Sequence, residues 1–166
     1  MDIHEQNFND LELAWLAGFI DGDGHISLVL KGDKFAPRIS MSNTDFPTQN
    51  IILDILNKNH LPHYKPRYRK GKKTDDGIRH NDSWEIPTQG FNDCIVWVDL
   101  LNPYLKSKFE KANYMAEFIK FRQRSKDKAA YTIEELNIAE NLISRRNTKC
   151  YWHWQNLYQS LVNYSS

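Results

Sequence analysis

The spacing of apolar positions changes several times along the chain, and each change predicts an element. Between residues 10 and 22, Leu13, Leu16, Phe19 and Ile20 recur at the three- and four-residue spacing of a helix, with Asn9 or Asp10 as its N-cap. The next stretch, GHISLVLKG, has period two: Ile26, Leu28 and Leu30 face one way, His25, Ser27, Val29 and Lys31 the other. After a Gly32-Asp33-Lys34 turn, FAPRISMSNT alternates again, setting Ala36, Arg38, Ser40 and Ser42 opposite Ile39 and Met41. Two alternating runs joined by such a turn predict a hairpin. A second helix is expected over residues 46–58, with Pro47 in its first turn and Ile51, Ile52, Ile55 and Leu56 apolar.

A second strand pair follows. In YKPRYRK, Lys65, Arg67 and Arg69 share a face; in IRHNDSWEIP, Arg79, Asn81, Ser83 and Glu85 oppose Ile78, His80, Asp82, Trp84 and Ile86. Residues 70–77 are the turn between them, and Pro66 predicts an edge or irregular pairing. Helices are expected near 90–101, 108–124, 132–145 and 148–163, with Asn102-Pro103 separating the first two. The order α-β-β-α-β-β-α predicts an α+β fold: a four-stranded antiparallel sheet, apolar on one face and covered there by helices. The 166 residues form one domain, with a core over about 10–125 and a helical addition over about 130–166.

The uncovered sheet face carries Ser, Asn, Lys, Arg and Glu, which is the chemistry needed to read base edges in a DNA groove. Net charge is only +1, but residues 63–73, HYKPRYRKGKK, hold six of the 22 basic residues and no acid. Local charge sets the electrostatic footprint. On this reading His25, Ser27, Val29, Lys31, Arg38, Ser40, Ser42, Lys65, Arg67, Arg69, Arg79, Asn81, Ser83 and Glu85 form the DNA face. Lys70, Lys72 and Lys73, in the turn, are expected on phosphates. No apolar run is long enough to span a bilayer and the N-terminus does not read as a leader, so no membrane partner and an intracellular, non-secreted location are expected. Cys94 and Cys150 lack zinc or CxxC spacing and read as structural thiols; His60 and His63 read as loop residues.

One stretch resists a purely structural reading. The first helix ends in IDGDG, and carboxylates at a helix C-terminus meet the negative end of its dipole. Asp-Gly is also ordinary turn chemistry, but that does not explain acids in this position. A divalent cation does, because it turns repelled carboxylates and terminal carbonyls into ligands; Mg²⁺ takes oxygen ligands completed by water and phosphate. Ala14, Ala17, Gly18 and Asp21 add a strip of small or short residues that permits close helix–helix approach.

Leu16-Ala17-Gly18-Phe19-Ile20-Asp21-Gly22-Asp23-Gly24 resembles the LAGLIDADG motif of homing endonucleases, with seven of nine positions identical. Single-motif members of that family are homodimers, so the resemblance implies an αββαββα core with a saddle-shaped sheet and a dimer interface through Leu13, Ala14, Leu16, Ala17, Gly18, Ile20 and Asp21. It also implies that Asp23 binds the catalytic metal with the Gly22 carbonyl as a further ligand. NPYLKSKFEKAN (102–113) resembles the segment supplying the family's active-site lysine, which places that role on Lys108. Ser42-Asn43-Thr44-Asp45 resembles the second-strand exit, where Asp45 takes the role of the polar residue contacting water at the metal; Gln49 stands where a basic residue is expected.

The activity so implied is site-specific hydrolysis of both strands of a partly palindromic duplex of about 20 base pairs, leaving 3′ overhangs. The cofactor implied is Mg²⁺, with Mn²⁺ able to substitute and Ca²⁺ supporting binding without cleavage. The partners are double-stranded DNA and a second copy of the chain, in the cytoplasm or in the organelle that encodes it. The alternatives are an intron-encoded RNA maturase, with intron RNA as partner, and a non-cleaving DNA-binding regulator on the same fold.

Overall fold

The computed structural model describes residues 9–125, 127 and 130–164. Helix α1 (Asp10–Asp23) runs directly into strand β1 (Gly24–Lys31), which turns at Gly32 into β2 (Lys34–Asn43). Helix α2 (Phe46–Lys58) follows, then β3 (Arg67–Arg69), β4 (Ser83–Gln89), α3 (Phe91–Leu101) and α4 (Phe109–Arg124). Helices α5 (Ile133–Glu140) and α6 (Thr148–Tyr164) complete the chain. This is the αββαββα order with a helical addition that the periodicities predict.

The strands form one antiparallel sheet in the order β1-β2-β4-β3. β2 is the spine, pairing all of β1 through Lys34–Met41 on one side and β4 from Arg38 to Asn43 on the other. Pro37, which has no N–H, sits where the β4 ladder has just ended, and its carbonyl accepts from Gly90 N at 3.0 Å. One sheet face packs Ile26, Leu28, Ile39, Met41, Trp84 and Ile86 against Leu16, Ile20, Ile52, Leu56, Trp97 and Phe118 of the helices. The C-terminal addition screens the β1 edge: Leu28 N donates to Leu142 O at 3.2 Å, and the Cys150 thiol donates to Leu28 O. Burial raises both thiols, Cys94 to about 12 and Cys150 to about 11, so neither is a nucleophile at neutral pH.

Three expected elements differ. β3 spans three residues rather than seven and is exposed throughout, so it lacks the apolar face expected of it. β4 begins at Ser83, not Ile78; residues 70–82 instead make a compact excursion, with His80 N on Lys72 O at 2.9 Å and a lone bridge between Lys73 and Arg79. Gly71 is required there, because a Cβ would lie 2.0 Å from His80 O. Helix α5 ends at Glu140 rather than 145; a Thr132/Glu135 capping box fixes its start, and a turn follows Asn141.

The α1–β1 junction is equally tight. A Cβ on Gly24 would stand 2.5 Å from Ile20 Cα and 2.8 Å from Ile20 O. Gly24→Ala is therefore expected to destabilise the fold by about 1–3 kcal/mol. Urea unfolding checks this; unchanged stability would mean that the strand enters the helix end less closely.

Candidate nucleic-acid interface and active site

Helix α1 starts on the side chain of Asn9, which accepts from Leu11 N and Glu12 N at 3.1 and 3.4 Å. Glu12 binds Lys58 Nζ at 2.7 Å and Asn59 Nδ2 at 2.9 Å, tying α1 to the end of α2. Leu13, Leu16, Ala17 and Ile20 are all at most 3% exposed within the chain's own core. This corrects the expected interface set: those four cannot face a partner, and the outward face of α1 is Leu11, Ala14, Trp15 and Gly18. Trp15 stacks on Phe19, and Phe19 on Trp84, so this face is anchored to the sheet.

The C-terminal end of α1 has no basic residue of its own. Lys108, 87 residues beyond Asp21, supplies the charge: its Nζ donates to Ile20 O at 2.6 Å and Asp21 O at 2.5 Å. The Asp21 carboxylate in turn accepts from Lys106 N at 2.7 Å and Lys108 N at 2.9 Å, and Ser107 Oγ donates to Asp21 O. Burial raises the Asp21 pKa, but those backbone donors outweigh it and hold the carboxyl below its ordinary value. Desolvation lowers the Lys108 pKa, with Lys111 adding to the effect and Asp21 and Asp23 opposing it. Asp21 is thus explained without a ligand: it fixes the loop that delivers Lys108.

Asp23 is different. It is exposed at the last helical position, and its Oδ2 accepts from Asn43 Nδ2 at 2.7 Å. Asn43 Oδ1 meanwhile accepts from Thr44 N and Asp45 N, so the amide is locked with its donor aimed at Asp23. Asp45 lies two residues beyond and serves as the N-cap of α2, accepting from Thr48 N at 3.0 Å and from the Thr48 hydroxyl. Those hydrogen bonds, the hydroxyl's first, lower its pKa. The structure therefore brings Asp23, Gly22, Asn43 and Lys108 to one helix end, while the Asp45 carboxylate is turned to α2. Gln49 is 5% exposed, with Nε2 on the Tyr68 hydroxyl at 3.1 Å and Oε1 unpartnered.

Among the described residues no group of three or more His, Cys, Asp or Glu converges as a self-sufficient metal cage. The donors at the α1 end fit a hard cation of another kind, one held by a carboxylate and a carbonyl and completed by water and substrate phosphate.

Beside this end lies the polar sheet face. The register sets His25 beside Ser40, Ser27 beside Arg38, Ser42 beside Glu85, Glu85 beside Arg67, and Ser83 beside Arg69. His25, Ser27, Val29, Arg38, Ser40, Ser42, Arg69 and Glu85 line a concavity of about 630 Å³. Lys31 is exposed at the β1 tip; Lys65, Lys70, Lys72 and Asn81 are exposed outside the strands, and Lys73 and Arg79 meet only in their bridge. Lys65, Arg79 and Asn81 are thus corrected from strand to loop positions. The concavity has a wall that strand periodicity misses: Lys111 of α4, and Ser144, Arg146 and Asn147 between α5 and α6. The run Ser144-Arg145-Arg146-Asn147, polar between two helices, was its available signal.

No protein-family model and no curated protein sequence matches the chain. Solved structures do. The homing endonuclease I-CvuI bound to its target in the presence of calcium aligns with a TM-score of 0.57 at 21% identity, over 88% of this chain and 96% of that one. The same enzyme on an I-CreI target, with magnesium and the DNA uncleaved, aligns with a TM-score of 0.59 at 21% identity, over 96% and 99%. The LAGLIDADG meganuclease I-AabMI bound to uncleaved DNA aligns with a TM-score of 0.52 at 15% identity, over 76% of this chain but 43% of that one. Motif, strand order and these alignments agree: the chain has the fold of the LAGLIDADG homing endonucleases.

Proposed function

We propose that the protein is a site-specific, divalent-metal-dependent DNA endonuclease that acts as a homodimer. The observation that carries this reading is that exposed Asp23 and Lys108 both lie at the C-terminal end of α1, beside a polar, arginine-bearing sheet face. Neighbours of the same fold are DNA complexes. Asp23, with the Gly22 carbonyl, would hold the cation, and Mg²⁺ suits that donor set. When bound, such an ion lowers the pKa of water and stabilises a leaving oxygen in phosphodiester hydrolysis.

The chain's own residues do the rest. Asn43 orients the Asp23 carboxylate through a fixed hydrogen bond, as outer partners of metal ligands do. Lys108 holds a positive charge at the helix end, where negative charge grows on the phosphate being attacked. Lys111 and Arg146 flank the sheet and would neutralise neighbouring phosphates. One chain carries one such site, and cutting two strands needs two, which a two-fold dimer supplies.

The test is to incubate the protein with duplex DNA spanning its own insertion site, with Mg²⁺ and separately with Ca²⁺. Double-strand cleavage with Mg²⁺, and binding alone with Ca²⁺, are expected. Binding without cleavage in Mg²⁺ would favour the regulator, and binding of intron RNA alone would favour the maturase.

Lys108 makes a sharper prediction. Lys108→Met should lower the rate at saturating DNA about 10²–10³-fold while leaving affinity nearly unchanged, because the charge it meets develops in the transition state. Loss of its two carbonyl contacts should also cost about 1 kcal/mol of stability. Single-turnover cleavage and a thermal melt on one preparation read both. Weakened affinity with an unchanged rate would recast Lys108 as a phosphate-positioning residue.

A further inference from the structure

Within the polar sheet face, three side chains are committed to one another. Glu85 of β4 is 8% exposed. Its Oε1 accepts from Arg38 Nη2 of β2 at 2.6 Å, and its Oε2 from Arg69 Nη2 of β3 at 3.3 Å. The contact to Arg38 is not between facing residues: Glu85 pairs with Ser42, and Arg38 with Gln89. Four residues of strand separate the two positions, about 13 Å. To meet at 2.6 Å, both side chains must lie along the sheet surface, and the Arg38 side chain is accordingly 19% exposed. Arg69 approaches from the edge strand and keeps its side chain 70% exposed.

A carboxylate on a face proposed to bind a polyanion needs a reason. Free arginines on such a face seek phosphates and strengthen binding to every sequence alike. Arginines with fixed planes present N–H pairs at defined angles, which is the requirement for bidentate reading of guanine. Glu85 supplies both conditions, removing one unit of net positive charge and setting two guanidiniums in register from the two strands that flank β4. We propose that Glu85 is a specificity-determining positioning residue, bridging Arg38 and Arg69 so that they read base edges rather than phosphates. This rests on the DNA-binding reading above but concerns how that face discriminates, not whether it cleaves.

The experiment measures two quantities in Ca²⁺ for the full chain: the salt dependence of affinity for a duplex of arbitrary sequence, and the base preferences selected from a pool of randomised duplexes about 20 base pairs long. Glu85→Gln frees both arginines. The slope of log affinity against log salt should steepen by about 0.9 for each guanidinium that reaches a phosphate. Affinity for the arbitrary duplex should rise, and preference at one or two base pairs per half-site should fall by about fivefold or more. Glu85→Asp keeps the charge but is too short to span both arginines. It should steepen the slope by no more than one such step and still lose the preference, and because it retains an ion pair it carries the test if Glu85→Gln fails to fold.

Wild-type slope and preference in both variants, with unchanged melting, would overturn the bridging role. So would full restoration by Glu85→Asp, which would make the effect one of charge alone. A switch to a different preferred base at an unchanged slope would make Glu85 a direct base contact, also against the proposal. A wild-type protein that binds no duplex would overturn the DNA-binding reading, and this inference with it.

Discussion

Asp23→Asn is expected to reduce cleavage of both strands by more than about a hundredfold, because changing even the outer partners of a metal ligand costs 10–100-fold. Duplex affinity should be held or slightly raised. The substitution keeps the shape of the side chain and its contact with the Asn43 amide group in altered form, so the fold has little reason to respond. What it removes is a negative charge at an exposed helix end that already carries partial negative charge. If Asp23 were merely a turn residue, that removal would stabilise the protein slightly and leave cleavage intact. Nicking and gel-shift assays on one preparation separate the outcomes, and residual cleavage within tenfold of wild type would defeat the assignment. Asn43→Ala should give a milder loss of about 10–100-fold, since the carboxylate keeps its charge and loses its orientation.

Asn43 also marks a limit on what the local sequence pattern encodes. The motif and the two periodicities locate α1, β1 and β2 closely, because a helix that turns straight into an alternating hairpin leaves few other solutions. They do not say which polar residue at the end of β2 turns toward α1. Asn43 and Asp45 are both polar and two positions apart; Asn43 donates to Asp23, and only the start of α2 decides that Asp45 is spent as a cap. The second strand pair failed for a related reason. Arg67–Arg69 is too short and too exposed for alternation to mark its ends, and the 70–82 excursion is held by backbone bonds that hydropathy does not register. Lys108 reaches Asp21 across 87 residues, a contact that no local pattern encodes; the resemblance of residues 102–113 pointed to the lysine but not to this contact. Glu85 was legible as a member of the polar face but not as the partner of Arg38, because that bond runs diagonally across the ladder.

Gly18→Leu is expected to yield a monomer without double-strand cleavage. A glycine inside a helix is about 1 kcal/mol less favourable than alanine, so it persists where a side chain would be in the way. Among the described residues nothing is in the way: a Cβ at Gly18 would meet none of their atoms within 4 Å. The second copy proposed above would supply the obstruction. Trp15 at 42% and Leu11 at 81% exposure continue the same helical face one and two turns earlier, with Ala14 between them. Small residues among large apolar ones allow two helices to cross more closely than the usual 8–10 Å. Two copies crossing there would also bring both Asp23 ends together, as a cut through paired strands requires. Gly18→Ala then discriminates sharply. For a chain that functions alone it should stabilise by about 0.5–1 kcal/mol and leave activity intact. At a close helix crossing it should weaken association and cleavage together while the isolated chain melts no lower. Light scattering at micromolar protein, with and without duplex, reads the oligomeric state directly. A wild type that stays monomeric even on DNA, or a Gly18→Leu variant that still dimerises and cuts both strands, would remove α1 from the interface.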